Sequence, residues 1–164
     1  MSNVAHVLEV AEGFAGQHEI GGNNCGPFVK ECLASVGLPE GNPWCASFDN
    51  LVMVKAGVRG WPATGDTWAL QTWARDHKCY SLVPQAGDVF LMIGGDGEPF
   101  HTGFVKQLLP NGLFSSIEGN TKATGAYSGP DGVHRRIHAI PSCKFIHWFL
   151  VLDKDKQPED ETYS

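Results

Sequence analysis

The hydrophobic pattern of this chain changes near Pro84. Before this residue, apolar side chains recur at the three- and four-residue spacing of amphipathic helices, whereas after it short apolar runs alternate with turn residues. A run of helices followed by a run of strands is typical of the α+β class, in which an antiparallel sheet packs against helices. We therefore expect N-terminal helices packed on a C-terminal antiparallel β-sheet.

Apolar spacing, capping residues and chain-breaking glycines predict the extents of these elements. The predicted helices cover residues 3–16, 27–36 and 44–56, and a short fourth helix, capped by Asp66 or Thr67, runs through Ala74. The predicted strands cover residues 88–93, 101–109, 113–119, 133–139 and 145–152. The third helix is apolar around much of its circumference, so we expect it to lie at the centre of the fold.

Length and composition limit the classes of function. A chain of 164 residues with 42% hydrophobic residues suits one globular domain, predicted over residues 1–152. Residues 153–164 are charged and lack apolar anchors, so this tail is expected to be disordered. The net charge of −6 comes without a cluster of basic residues, which argues against a nucleic-acid partner.

The sequence contains neither an 18-residue apolar stretch nor an N-terminal basic segment followed by an apolar run. We therefore predict no membrane span and no signal peptide, with synthesis in the cytoplasm.

Five cysteines, an odd number without a paired pattern, indicate reduced thiols. The pairs His77/Cys79 and Cys143/His147 offer zinc ligands, but no C-x-x-C pair accompanies them, and we expect no metal and no cofactor.

Cys45 lies directly after Pro43-Trp44, at the predicted start of the third helix. Unpaired backbone N–H groups and the helix dipole favour a thiolate at such a position, and the thiolate is the nucleophilic form of cysteine. A free cysteine is also among the most frequently buried residues, so a core role is the plain alternative. Cys25, near the start of the second helix, is the rival nucleophile.

Three polar residues on two neighbouring predicted strands, His101, Glu118 and Asn120, suit a site built around this thiol. If Asn111-Gly112 forms a two-residue hairpin turn, His101 lies opposite Lys122, an even number of residues from Glu118 and Asn120. Side chains alternate along a strand, so all three then project from one face of the sheet. A longer turn or a single bulge would shift this register.

This set of side chains is the one that thiol-based acyl transfer requires. His101 takes the thiol proton and later protonates the leaving amine, while Glu118, supported by Asn120, orients the imidazole. Backbone N–H groups at the start of the helix then receive the charge that develops on the substrate oxygen. Trp44 and Trp61 are expected to line a substrate groove, although each also suits the core, and the other six histidines are assigned to the surface or to packing.

These segments together resemble the CHAP amidohydrolase/peptidase domains, papain-like relatives of the NlpC/P60 enzymes. The resemblance rests on Gly22-Asn23-Asn24, Gly26-Pro27, Pro43-Trp44-Cys45-Ala46 with Phe48, Gly87-Asp88-Val89, His101-Thr102-Gly103-Phe104-Val105 and Ile117-Glu118-Gly119-Asn120-Thr121. It implies that Cys45 is the nucleophile, His101 the base, and Glu118 and Asn120 the orienting residues. The more usual His-Val-Gly of the family is His-Thr-Gly here, and the acidic series that binds calcium in some members is absent.

The resemblance also implies a substrate, namely the peptide part of bacterial peptidoglycan, at a stem peptide or cross-bridge. The expected enzyme is an endopeptidase or an N-acetylmuramoyl-L-alanine amidase. It would be a phage lysin or an interbacterial effector, delivered to the cell wall or periplasm by a holin, a virion or a secretion system. An effector would have a cognate immunity protein. A catalytically silent peptide-binding module and an intracellular thiol peptidase are the alternatives.

Overall fold

The computed structural model describes residues 3–152. Within this range the helices are α1 (Asn3–Gly13), α2 (Pro27–Ala34), α3 (Cys45–Lys55), α4 (Thr67–Asp76) and α5 (Phe149–Leu152). The strands are β1 (Tyr80–Ser81), β2 (Val89–Ile93), β3 (Pro99–Leu109), β4 (Leu113–Thr121), β5 (Gly132–Ala139) and β6 (Cys143–Ile146). The charged tail predicted at residues 153–164 lies outside the described residues.

The predicted α+β class is confirmed, because four helices precede a six-stranded sheet in which every neighbouring pair is antiparallel. Capping residues and apolar spacing predicted the ends of α1 to α4 to within a few residues. The Asp66 carboxylate caps α4 by accepting a hydrogen bond from the Trp68 N–H at 3.0 Å. Among the described helices, none has the length and apolar character that a bilayer crossing demands.

Two parts of the strand prediction are wrong. The predicted strand at 145–152 ends at Ile146, and its second half forms α5, where the Trp148 carbonyl accepts hydrogen bonds from the N–H groups of Val151 and Leu152. Apart from His147 this stretch is apolar throughout, and such a run carries no period that separates strand from helix. The short strand β1 was not predicted, since two residues are too few to show alternation.

The strand order is β1-β6-β2-β3-β4-β5, and each face of this sheet carries an apolar cluster. The helices cover the face that presents Leu91, Phe104 and Ile117, where the larger cluster lies. The opposite face carries a smaller cluster formed by Phe90, Val105, Phe114, Cys143 and Phe145. The sheet is therefore buried on both sides over its central strands.

Helix α3 packs directly across β3 and β4, as its apolar circumference predicted. Every residue from Cys45 to Met53 is buried. The Phe48 side chain lies against Gly119 on β4, where an added Cβ would come within 2.7 Å of the Phe48 Cβ. This close approach positions the N-terminus of α3 against the end of β4 that carries Glu118 and Asn120.

The predicted hairpin register is wrong, although His101 and Glu118 still share one face of the sheet, as that register implied. Leu109 pairs with Leu113, so the turn has three residues, and a bulge between Val105 and Gln107 shifts the pairing once more. Two one-residue shifts restore the original parity. Gly103 consequently lies beside Glu118, and the side chains of His101 and Glu118 meet.

Gly103→Ala is predicted to destabilise the protein, because the new Cβ would lie 2.6 Å from the Glu118 Cβ and 2.9 Å from the Phe90 ring. Overpacking of this kind costs about 1–3 kcal/mol. Urea unfolding measures the loss. Gly95→Ala is the matched control, since nothing lies within 4 Å of its Cβ position. Equal stabilities of the two variants would contradict this account of the packing.

Candidate active site

Cys45 is the first residue of α3, and its side chain is buried except for a small surface facing a cleft. The residue before it, Trp44, forms the N-cap without a side-chain cap of its own. Its N–H instead donates to Asn120 Oδ1 at 2.8 Å. The first N–H groups of α3 have no acceptor within the helix, so the sulfur lies beside the positive end of the helix dipole.

His101 on β3 lies between Cys45 and Glu118. Its Nε2 is 2.8 Å from Glu118 Oε1, and the ring lines the same cleft as the Cys45 side chain, which is near enough to raise the pKa of the imidazole. Because Nε2 is engaged with the carboxylate, Nδ1 is the nitrogen that remains for the sulfur. The structure thus brings together three of the residues that the sequence nominated, in the order thiol, imidazole, carboxylate.

Opposing influences determine the charge of this group. Burial lowers the pKa of His101, but hydrogen bonds and attraction from Cys45 and Glu118 outweigh it and raise this pKa to about 10. Burial raises the pKa of Glu118, but hydrogen bonds from His101 and His138 prevail and lower it to about 2. Near neutral pH the site therefore holds an imidazolium on an ionised carboxylate.

His138 on β5 is a site residue that sequence reasoning missed, having been assigned to the surface or to packing. Its Nε2 lies 2.7 Å from Glu118 Oε2, which also accepts a hydrogen bond from the Ser116 hydroxyl. The Glu118 carboxylate is only 1% exposed, so each of these donors replaces water. Only the pairing of β4 with β5 brings positions 116, 118 and 138 together.

Asn120 occupies the predicted place but makes different contacts from those expected. Its Oδ1 accepts the Trp44 N–H, and its Nδ2 donates to Asp131 Oδ2 at 2.9 Å. The residue adopts a left-handed backbone conformation with φ of 60°, which asparagine tolerates better than most residues. Asn120 therefore anchors the chain that enters α3, rather than supporting the His101 ring directly.

The expectation that Trp44 and Trp61 line a groove is wrong for this structure, since both belong to the larger apolar cluster. Trp44 is fully buried, and its Nε1 donates to Glu19 Oε2 at 3.1 Å. Trp61 is 7% exposed and packs on Trp73 with ring centroids 5.4 Å apart. Each indole carries a large apolar area, and removing that area from water favours the core over an exposed groove wall.

The cleft that contains Cys45 has a volume of about 330 Å³. Pro43, Met92 and Phe100 supply apolar lining, while Arg136 and His138 add polar groups to those of the site. Cys25 is not among the lining residues, and its sulfur donates to the Asn23 carbonyl at 3.3 Å. The geometry thus favours Cys45 over Cys25 as the thiol that a ligand can reach together with an imidazole.

The residues considered as zinc ligands do not converge. His77 stacks on Trp73, whereas His147 Nδ1 lies 2.6 Å from Asp88 Oδ1. Within residues 3–152, no three histidine, cysteine or carboxylate side chains are arranged to hold a metal ion.

The CHAP domain family matches residues 16–120, and the chain belongs to this family. Among solved structures, the chain is similar to N-acetylmuramoyl-L-alanine amidase from Staphylococcus aureus, with 20% sequence identity and a TM-score of 0.49. The similar region covers 66% of this chain and 30% of the amidase chain, so it spans less than a third of that protein. A comparison with curated proteins found no match.

The pKa shifts of His101 and Glu118 predict how the stability of the protein depends on pH. The raised pKa of His101 contributes stability fully below its ordinary value of 6.5, and this stability is lost as the pH rises through about 10. The lowered pKa of Glu118 contributes stability above 4.5 that is lost as the pH falls through about 2. We expect His101→Gln to flatten the alkaline decline of the melting temperature. The same substitution at exposed His77 is the control, and an unchanged alkaline slope in His101→Gln would refute the assignment.

His138→Ala is predicted to cost about 1–3 kcal/mol in free energy of unfolding, because it removes a donor from a buried carboxylate oxygen. The pKa of Glu118 should rise toward its ordinary value, which NMR titration of the side-chain carboxyl would detect. Ile137→Ala, at an exposed position on the same strand, serves as the control. A Glu118 pKa unmoved by His138→Ala would show that His138 does not support the carboxylate.

Proposed function

We propose that this protein is a cysteine hydrolase that cleaves amide bonds in the peptide part of bacterial peptidoglycan. The observation that carries the proposal is the position of His101 between the Cys45 side chain and the Glu118 carboxylate, at the mouth of a cleft. A nucleophile, a base within reach of it, and a third group that orients the base define nucleophilic acyl transfer. Membership of the CHAP domain family supports a hydrolase.

In the proposed reaction, Cys45 attacks the substrate carbonyl carbon as a thiolate while its proton resides on His101. The tetrahedral intermediate collapses when His101 protonates the departing amine, which breaks the C–N bond and leaves a thioester on Cys45. Water, deprotonated by His101, then attacks this thioester, and the carboxylic acid product leaves as the thiol re-forms. Glu118 stays ionised throughout and stabilises the imidazolium.

The first turn of α3 is suited to the negative charge that develops on the carbonyl oxygen. Its N–H groups near Cys45 have no acceptor within the helix, and the Asn120 contact with Trp44 holds the preceding backbone in place. Each donor aimed at such an oxygen contributes on the order of 3 kcal/mol to lowering the barrier. This part of the site requires only the backbone, so it is insensitive to the identity of side chains in the turn.

Within this proposal, the scissile bond belongs either to a stem peptide or cross-bridge, or to the amide that joins N-acetylmuramic acid to L-alanine. The protein would act on the cell wall as a phage lysin or as an interbacterial effector, and an effector would be paired with an immunity protein. Mass spectrometry of digestion products separates the two bonds. Peptides released without attached sugar indicate amidase activity, whereas shortened peptides that remain on sugar indicate endopeptidase activity.

Digestion of purified sacculi tests the proposal. Cys45→Ala is expected to abolish release of soluble fragments, since loss of the nucleophile in comparable hydrolases lowers kcat by a factor on the order of 10⁶. Cys25→Ala is the matched control, because it removes a thiol outside the cleft and should leave digestion intact. If Cys45→Ala digests sacculi like the wild type, or Cys25→Ala is the inactive variant, the proposed chemistry is wrong.

Two further measurements separate the alternative functions. Activity on casein without activity on sacculi would identify a general thiol peptidase instead. A Cys45 thiol that resists iodoacetamide near neutral pH would identify a silent binding module. Rapid alkylation that slows in His101→Ala is the result expected of an enzyme, because the imidazole then governs the reactivity of the sulfur.

A further inference from the structure

Asp49 is a fully buried acid in α3, one helical turn beyond Cys45. Its Oδ2 lies 2.8 Å from the Thr102 hydroxyl oxygen, and that same hydroxyl lies 2.8 Å from the carbonyl oxygen of Phe90. Its Oδ1 is buried and has no hydrogen-bond partner among the described residues. The reaction described above assigns no role to this residue.

The protons available to Asp49, Thr102 and the Phe90 carbonyl indicate the charge of Asp49. The Thr102 hydroxyl has one proton to donate, yet it faces two oxygens, of which the Phe90 carbonyl can only accept. If Asp49 is ionised, both neighbours are acceptors, so one of the two 2.8 Å contacts has no proton. If Asp49 is protonated, its O–H donates to Thr102 and Thr102 donates to Phe90, and both contacts are satisfied.

We propose that Asp49 is a protonated, uncharged acid at neutral pH, whose hydrogen-bond chain through Thr102 to Phe90 positions Cys45 against His101. Residues four apart lie on the same face of a helix, and His101 immediately precedes Thr102 on β3. The Asp49–Thr102 bond therefore joins the same helix and strand as the Cys45–His101 contact, one turn away. The inference concerns the thiol and imidazole of the proposed function but does not depend on which substrate they attack.

The electrostatic surroundings agree with the hydrogen count. Burial raises the pKa of Asp49 to about 8, even though Thr102 and the positive charge of His101 favour the ionised form. The other titratable groups that interact with it are Glu118 on β4 and Cys32 on α2. A neutral Asp49 leaves Glu118 as the ionised carboxylate that holds the imidazolium.

A protonated Asp49 makes the protein less stable as the pH rises, which is the opposite of the usual effect of a buried carboxylate that is ionised. Because the pKa of Asp49 in the folded state exceeds its ordinary value of 3.8, the protonated acid contributes stability that is complete below 3.8 and is lost as the pH rises through about 8. An amide keeps the donor and cannot ionise. Asp49→Asn should therefore melt at a higher temperature than the wild type at neutral pH, by a margin that grows between these two pH values.

Infrared spectroscopy tests the protonation directly. The wild type at neutral pH should show the carbonyl stretch of a protonated carboxylic acid, and Asp49→Asn should lack it. A wild-type spectrum without this band at neutral pH would overturn the proposal. So would an Asp49→Asn variant that is less stable than the wild type.

The alkylation rate of Cys45 tests the positioning role, measured in a Cys25→Ala background so that a second accessible thiol does not interfere. Thr102→Ser keeps the hydroxyl and should react like the parent, as should Asp49→Asn. Thr102→Val keeps the shape and removes the hydroxyl, and we expect alkylation to slow about 10- to 100-fold. Equal rates for the serine and valine variants would overturn the positioning role, as would a slow Asp49→Asn. Since iodoacetamide is the probe, a protein inactive on sacculi can still support or refute the inference.

Discussion

The packing of α3 across β3 and β4 is the constraint on which the rest of the structure depends. It buries nine consecutive residues, Cys45 to Met53, and places the start of the helix beside the histidine of β3 and the glutamate of β4. Close-packed interiors deform little, so a side chain carried by such a helix is held to within a narrow range of positions. Gly119 permits the approach because a larger residue would collide with Phe48.

A buried carboxylate then organises the polar part of the site. Glu118 accepts hydrogen bonds from His101, His138 and Ser116, which come from three different strands. A fully satisfied polar network is rigid, whereas a buried charge that lacks a partner is costly. Asp49 lies one helical turn from Cys45 and avoids the cost of an unpaired buried charge in another way, by remaining neutral. Glu118 is therefore ionised because three donors surround it, whereas Asp49 is neutral because it faces a single hydroxyl.

Much of this arrangement could be predicted from the sequence because it depends on neighbours in the chain. The helix starts at Pro27 and Cys45, the cap at Asp66 and the class of fold all followed from local spacing and turn chemistry. The shared face of His101 and Glu118 was also foreseen, but from a register that is wrong at both the turn and the bulge. The two side chains still share a face, because two one-residue shifts together preserve the alternation of side chains along the strand.

What the sequence determined by itself was the kind and order of the elements and the thiol, imidazole and carboxylate placed at their ends, since periodicity, caps and residue chemistry are local properties. Tertiary structure alone decided that His138 supports Glu118, that Asn120 anchors the entry to α3, and that Trp44 and Trp61 belong to the core. These contacts join residues that are distant in the chain. They depend on strand order, register and the volume available between layers, and none of these leaves a trace in local spacing.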